Sequence, residues 1–203
     1  MKLKSLKKLS AGLVIVFLLS ACGSTGSGVT IGKTEVSSAE IQKYVDEILS
    51  ERTKVDTSQM NLDSGASLLR TQAQFQIISA VLDELIVEKK ISVTPADVAA
   101  RRADIVTQVG GEAELPSALV SASLAPSNLD KYLKIIMISE KLNELVISEG
   151  ATAESAGEVV TKLVTDTAKK LGVKVNSRYG KWNEETATID ESDNTDGAVT
   201  PVP

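Results

Sequence analysis

Two residue types bound the chemistry open to this chain. Cysteine occurs once, as Cys22, and histidine does not occur at all. A lone thiol closes no intramolecular disulfide. It can serve as a small buried hydrophobe, a catalytic thiolate or an attachment point. A reactive thiolate needs a neighbouring cation to lower its pKa, and residues 23–32 carry no charge. No folded segment precedes Cys22, which argues against a core role and leaves attachment. The missing histidine removes Ser-His-Asp and Cys-His catalysis, histidine metal sites and the commonest general base at neutral pH. One Trp, three Tyr and two Phe give little material for an aromatic pocket. Glu184-Glu185 and Asp190-Glu191-Asp193 lack the alternating ligands and the loop glycine of a calcium loop. Arg101-Arg102 reads as a solvated helix face. A net charge of −5 without a basic patch points away from nucleic acid. Neither an enzyme nor a cofactor is expected.

The residues around Cys22 say what is attached. Lys2, Lys4, Lys7 and Lys8 precede an apolar run over residues 9–21. The run is too short to span a bilayer, which takes about 20 apolar residues, and has the layout of a signal peptide. Its end, "LSACG", resembles a bacterial lipobox. That resemblance implies cleavage before Cys22 and a lipid on its sulfur. Residues 1–21 are then a lipoprotein signal peptide. Residues 22–28 form a Gly/Ser tether of flexible composition. The expected location is the extracytoplasmic face of the cell membrane, with the lipid as sole anchor.

Helical periodicity dominates the chain beyond the tether. "VTIGKT" reads as a short strand and turn, and Ser37 stands three before Glu40, a capping-box spacing. Ile41, Tyr44, Val45, Ile48 and Leu49 then mark a helix over Ser38–Arg52. Residues 53–64 read as a loop. A long helix is predicted over residues 66–90, where Phe75, Ile77, Ile78, Val81, Leu82 and Leu85 fall in an arc of roughly 160°. Thr94-Pro95-Ala96-Asp97 is a helix start, and Val98, Ile105 and Val109 give that helix a buried side before Gly110-Gly111. A short helical piece covers residues 115–124. The next long helix, to about Ile147, contains four consecutive apolar residues, Ile135, Ile136, Met137 and Ile138. A last helix covers residues 155–171, with Gly172 beyond it. "VKV", residues 173–175, reads as a second strand, expected to pair with residues 29–31. Tyr179 and Trp182 are expected to cover the open edge of the core beside it. The Thr/Asp-rich residues 184–203 are expected to be an acidic disordered tail.

"VTIGKTEVSSAEIQKYVDEI", "ISVTPADVAARRADIV", "GGEAELPSALVSASLAPSNLDKYLKIIMISEKL" and "LGVKVNSRYGKWN" occur in the order and spacing of SurA- and PrsA-type foldases. Residues 29–183 resemble the SurA N-terminal-like chaperone domain of such proteins. The resemblance implies a mostly α fold: a splayed multi-helix domain of the SurA-N or trigger-factor type, with a small two-stranded sheet from its two ends. The parvulin isomerase domain usual in that family has no room here, and its histidines are missing. The implied activity is holding unfolded or partly folded secreted proteins without ATP or isomerisation. The alternative is an envelope lipoprotein that uses the same scaffold to bind one partner. The client groove, if the apolar arcs are more than central core faces, is formed by Phe75, Ile78, Leu82, Ile135, Ile136, Met137 and Ile138; burial of the same arcs in the core is the other reading.

Overall fold

A computed structural model describes residues 26–191. The signal peptide, Cys22, most of the tether and residues 192–203 lie outside them. Two short strands, β1 (Ser27–Ile31) and β2 (Thr34–Ser37), lead into α1 (Ser38–Arg52). Next come α2 (Gly65–Lys89), α3 (Pro95–Gln108), α4 (Leu115–Ser121), a single 3₁₀ turn (Pro126–Asn128), α5 (Leu129–Ser148) and α6 (Ala153–Leu171). The described region closes with β3 (Lys174–Val175), β4 (Lys181–Asn183) and β5 (Thr188–Asp190). The architecture is mostly helical with two small antiparallel sheets.

Helix boundaries follow local chemistry. Ser37 Oγ accepts the Glu40 N–H at 3.1 Å, while Glu40 turns its carboxylate to the Tyr44 hydroxyl, so only half of the capping box forms. At α3 the box is complete: Asp97 N–H donates to Thr94 Oγ1 and Thr94 N–H to Asp97 Oδ2. α6 starts two residues earlier than its apolar pattern suggests, because Thr152 and Ser155 cap it reciprocally. It ends at Gly172, whose φ of 70° closes the last turn in the left-handed region.

The two chain ends do pair: Val29 lies opposite Val175 and Thr30 opposite Lys174. The expected two-stranded sheet nevertheless has three strands, in the order β2-β1-β3. Gly32-Lys33 forms a two-residue turn with Gly32 at φ 58°, the pattern of a type II′ hairpin, which folds Thr34–Ser37 back onto β1. The tether is correspondingly shorter. Gly28, which reads as linker, is a strand residue, and a Cβ there would sit 2.7 Å from the Val36 carbonyl oxygen and from Ile41.

The acidic tail is also revised. Beyond Trp182 the chain forms a hairpin in which Trp182 pairs with Ile189 and Lys181 with Asp190, burying Ala187 and Ile189. Only residues past Glu191 remain of the expected disordered segment, and they lie outside the described region. Tyr179 is buried and Trp182 packs on the same core, as expected of residues closing its edge.

Three apolar clusters result. The main one joins the sheet, α2, the second half of α5, α6 and the C-terminal hairpin. A second, from Leu115, Leu119, Leu124, Leu129 and Leu133, lies under α3. A third, of Tyr44, Val45, Ile48, Leu68 and Ala125, joins α1 to α2.

Candidate functional site

The seven expected groove residues do not form one surface. Leu82 and Ile138 are 2% and 1% exposed and belong to the main core. Ile78 and Ile135 are half-buried against that core, and Phe75 is half-buried against the leucine cluster under α3. Ile136 and Met137 are half-buried and belong to none of the clusters.

The geometry of α5 explains the consecutive run. Leu129 and Leu133 enter the leucine cluster, whereas Ile138 and Leu142 enter the main core. Going from Leu133 to Ile138 turns the helix about 140° beyond a full turn. The buried stripe therefore changes sides at residues 135–137. Of those residues Ile135 packs on the main core, while Ile136 and Met137 lie half-buried between the two.

An apolar recess opens beside this crossing. The link after α2 and the first turns of α3 present Val93, Pro95, Val98 and Ala99 toward Asp130 and Lys134 of α5, enclosing about 500 Å³. Positions 130, 134, 137 and 141 share one stripe of α5, so Met137 continues the face that bounds the recess. α3 is strongly amphipathic, yet none of its residues is fully buried: Val98, Ile105, Val106 and Val109 are half-covered. The helix lies over the leucine cluster without closing upon it.

Ion pairs of both signs rim the recess. Arg102 reaches Asp130 at 3.0 Å, Lys134 reaches Asp83 at 2.6 Å, and Arg101 pairs with Glu140. The Asp97 carboxyl is held below the usual aspartate range, first by the Thr94 backbone N–H, then by the Thr94 side chain and more weakly by Lys141. The paired side chains of the rim leave no excess of either sign.

A wider hollow of about 680 Å³ runs along α6 past Thr161, Thr165 and Lys169 to Glu185. It is a poorer candidate: it is one polar helix face, crossed by the Lys162–Asp166 and Lys169–Glu185 pairs.

Two polar features escape an apolar-pattern reading. The Gln74 side-chain amide donates to the Ala187 carbonyl and accepts the Ile189 N–H, both at 2.8 Å. It occupies the open edge of β5 as a neighbouring strand would. Arg70 adds a bond from Nε to the Tyr179 carbonyl and an ion pair with Glu191. Together they pin the hairpin to α2.

The second feature is a polar seam between α1, α2 and residues 123–128. Gln72 donates to the Ser123 carbonyl, Arg52 to Ser123 Oγ and the Asp63 carbonyl, and Lys131 to Gln76 Oε1. Lys131 also lies 5.9 Å from the Tyr44 ring centre. Burial, reinforced by Glu40, pushes the Tyr44 phenol up to about 12. Several sealed polar atoms in this layer have no partner among the described residues: Arg52 Nε, Gln72 Oε1, Gln76 Nε2 and Asn128 Nδ2. Each such orphan forgoes about 1–3 kcal/mol relative to a satisfied group. The legible signal was the stripe Leu68-Gln72-Gln76-Ser79, which places two glutamines on a buried helix face.

Among the described residues no helix is long and apolar enough to cross a membrane, and no three metal-ligating side chains converge. No protein-family model, curated protein or solved structure matches the chain.

Proposed function

We propose that the protein is a lipid-anchored, extracytoplasmic chaperone or foldase-like factor of the SurA-N type, without enzymatic activity and without a cofactor. It holds apolar segments of unfolded or partly folded secreted polypeptides in the recess between α3 and α5. The observation that carries this reading is α3: an amphipathic helix with a half-covered apolar face beside an aliphatic recess. Aliphatic walls of small side chains suit loose holding of varied segments better than a shaped aromatic pocket. Binding there needs no nucleotide, because burial of apolar surface supplies the driving force. The membrane connection runs through Cys22 alone, so Cys22→Ala should leave uncleaved or shed protein in place of detergent-partitioning, acylated protein.

The test separates holding from stability. Val98→Gln adds a polar group at a half-exposed wall position and should leave the melting temperature near wild type while weakening suppression of client aggregation. If aggregation suppression is unchanged, the recess is not the holding surface. A second reading, one defined partner on the same scaffold, draws on the fixed ion pairs Arg102–Asp130 and Lys134–Asp83, which could set register for a single ligand. Recovery of one stoichiometric partner from cells, and no others, would favour it.

A further inference from the structure

The buried orphan atoms are not scattered through the molecule. Six side-chain polar atoms are sealed from solvent without a partner among the described residues. Four of them, on Arg52, Gln72, Gln76 and Asn128, line the seam between α1, α2 and residues 123–128. A fifth, Ser38 Oγ, sits on the first residue of α1. Only Tyr179 OH lies elsewhere, in the main core.

The orientations of the two glutamines leave little room for relief in the closed form. The Ser123 carbonyl requires the amide nitrogen of Gln72, so Gln72 turns its free acceptor into the seam. Lys131 requires the amide oxygen of Gln76, so Gln76 turns its free donor inward. Flipping either amide would exchange one orphan for another and break an existing bond.

The apolar cluster bordering this seam is small. Tyr44, Val45 and Ile48 of α1 cluster with Leu68 and Ala125, with Leu69 packed alongside. The main core gathers residues from the sheet, four helices and the hairpin. α1 joins that core through Ile41, one turn before Tyr44. Residues 44–52 are thus held by a minor cluster, by the Glu47 carboxylate accepting from the Ser127 N–H and hydroxyl, by Arg52, and by a polar layer with four orphaned atoms, while the start of the same helix is anchored in the main core.

We propose that residues 44–52 of α1, with the loop after them, open from α2 as a unit while the rest of the domain stays folded. Opening about the Ile41 anchor lets water reach the orphaned amides and Arg52 Nε, which offsets much of what is lost when the minor cluster is exposed. Segments with few apolar contacts and unsatisfied polar groups populate such sub-global states. The uncovered face, Tyr44, Val45, Ile48, Leu68 and Ala125, is a second, gated apolar surface. Its use for clients rests on the chaperone reading; the opening itself does not.

Hydrogen exchange measured by mass spectrometry on the full mature protein tests this. Amides of residues 44–52 should exchange at least ~10-fold faster than those of residues 76–85 and 163–171, and with a smaller dependence on urea, as a sub-global opening requires. Gln76→Met removes one orphan and releases Lys131 toward solvent. It should slow exchange in residues 44–52 by about fivefold, the effect of one relieved unsatisfied group, and leave residues 163–171 unchanged. Equal rates and equal urea slopes in α1, α2 and α6 of the wild type overturn the proposal, whatever the variant does. Unaltered exchange of residues 44–52 in a folded Gln76→Met protein overturns the orphaned amides as its cause.

Discussion

α3 and the C-terminal hairpin are opposite cases. α3 has a clear amphipathic pattern and a complete capping box, yet no residue in it is fully buried. The hairpin has an acidic, Thr-rich sequence with few apolar residues, yet Ala187 and Ile189 are buried and its open edge is closed by Gln74. Apolar patterning shows which face of a segment would benefit from burial. Whether that face is covered depends on what the rest of the chain brings to it. For α3 the supply is one side of α5 and a leucine cluster, which is too little. For the hairpin it is a glutamine amide and an arginine on α2, which is enough.

The comparison can be broken most forcefully at α5, where the two regions share a helix. Ile138→Ala should cost about 2–5 kcal/mol, because it empties a main-core position. Met137→Ala, one residue away on the recess side, should cost about 1 kcal/mol or less. Denaturant titrations of the two variants measure the difference, and equal losses would mean that Met137 is as much a core position as Ile138.

Gly180→Ala attacks the hairpin. Gly180 has φ 131°, and a Cβ there would lie 2.1 Å from the Asp190 carbonyl oxygen. Backbone strain alone should cost about 1–3 kcal/mol, and β4 should separate from β5. Trp182, the sole tryptophan, reports this as a fluorescence shift toward the solvent-exposed value. An unchanged spectrum would show that the hairpin tolerates the clash.

Gln74→Ala tests the pin itself. It leaves the Ala187 carbonyl and the Ile189 N–H unpaired, at about 1–3 kcal/mol for a buried unsatisfied group. Hydrogen exchange at Ile189 should accelerate while α3 is unaffected. Retained protection at Ile189 would mean that the apolar contacts hold the hairpin without the amide.

The smallest effect belongs to α3. The folded-state pKa of Asp97 is lowered, so its stabilisation is present above the ordinary aspartate range and is lost as pH falls through the folded value. The first turn of α3 should therefore lose exchange protection below about pH 4. Asp97→Asn should remove that pH dependence. A wild-type first turn that stays protected at lower pH would show that the capping box does not hold this helix end.

Several features were legible in the sequence because their signals are local. Ser37, Thr94-Pro95 and Gly172 place helix ends within a residue or two, and the apolar strings in residues 29–31 and 173–175 were enough to pair the two chain ends. The less local features were not legible. The strand Thr34–Ser37 is short, with Val36 its one apolar residue, and only the turn geometry of Gly32 folds it back. The hairpin depends on Gln74, more than a hundred residues away in sequence. The run Ile135–Ile138 reads as surplus apolar surface when a single helix is given a single buried face. Ile135 and Ile138 of that run face the main core, Ile136 and Met137 join no cluster, and the candidate site lies instead at Val93, Pro95, Val98 and Ala99. Of those four positions only Val98 belongs to the apolar stripe of its helix; Val93, Pro95 and Ala99 carry no pattern beyond ordinary helix-start composition.

The central claim is that the recess beside α3 holds varied unfolded chains. A photo-crosslinking residue at Val98, compared in intact cells with one at Thr161 on the polar face of α6, tests it most directly. The account predicts many different crosslinked polypeptides from position 98, increasing when secreted proteins misfold, and few from position 161. Equal crosslinking at both positions, or none at position 98, would contradict it.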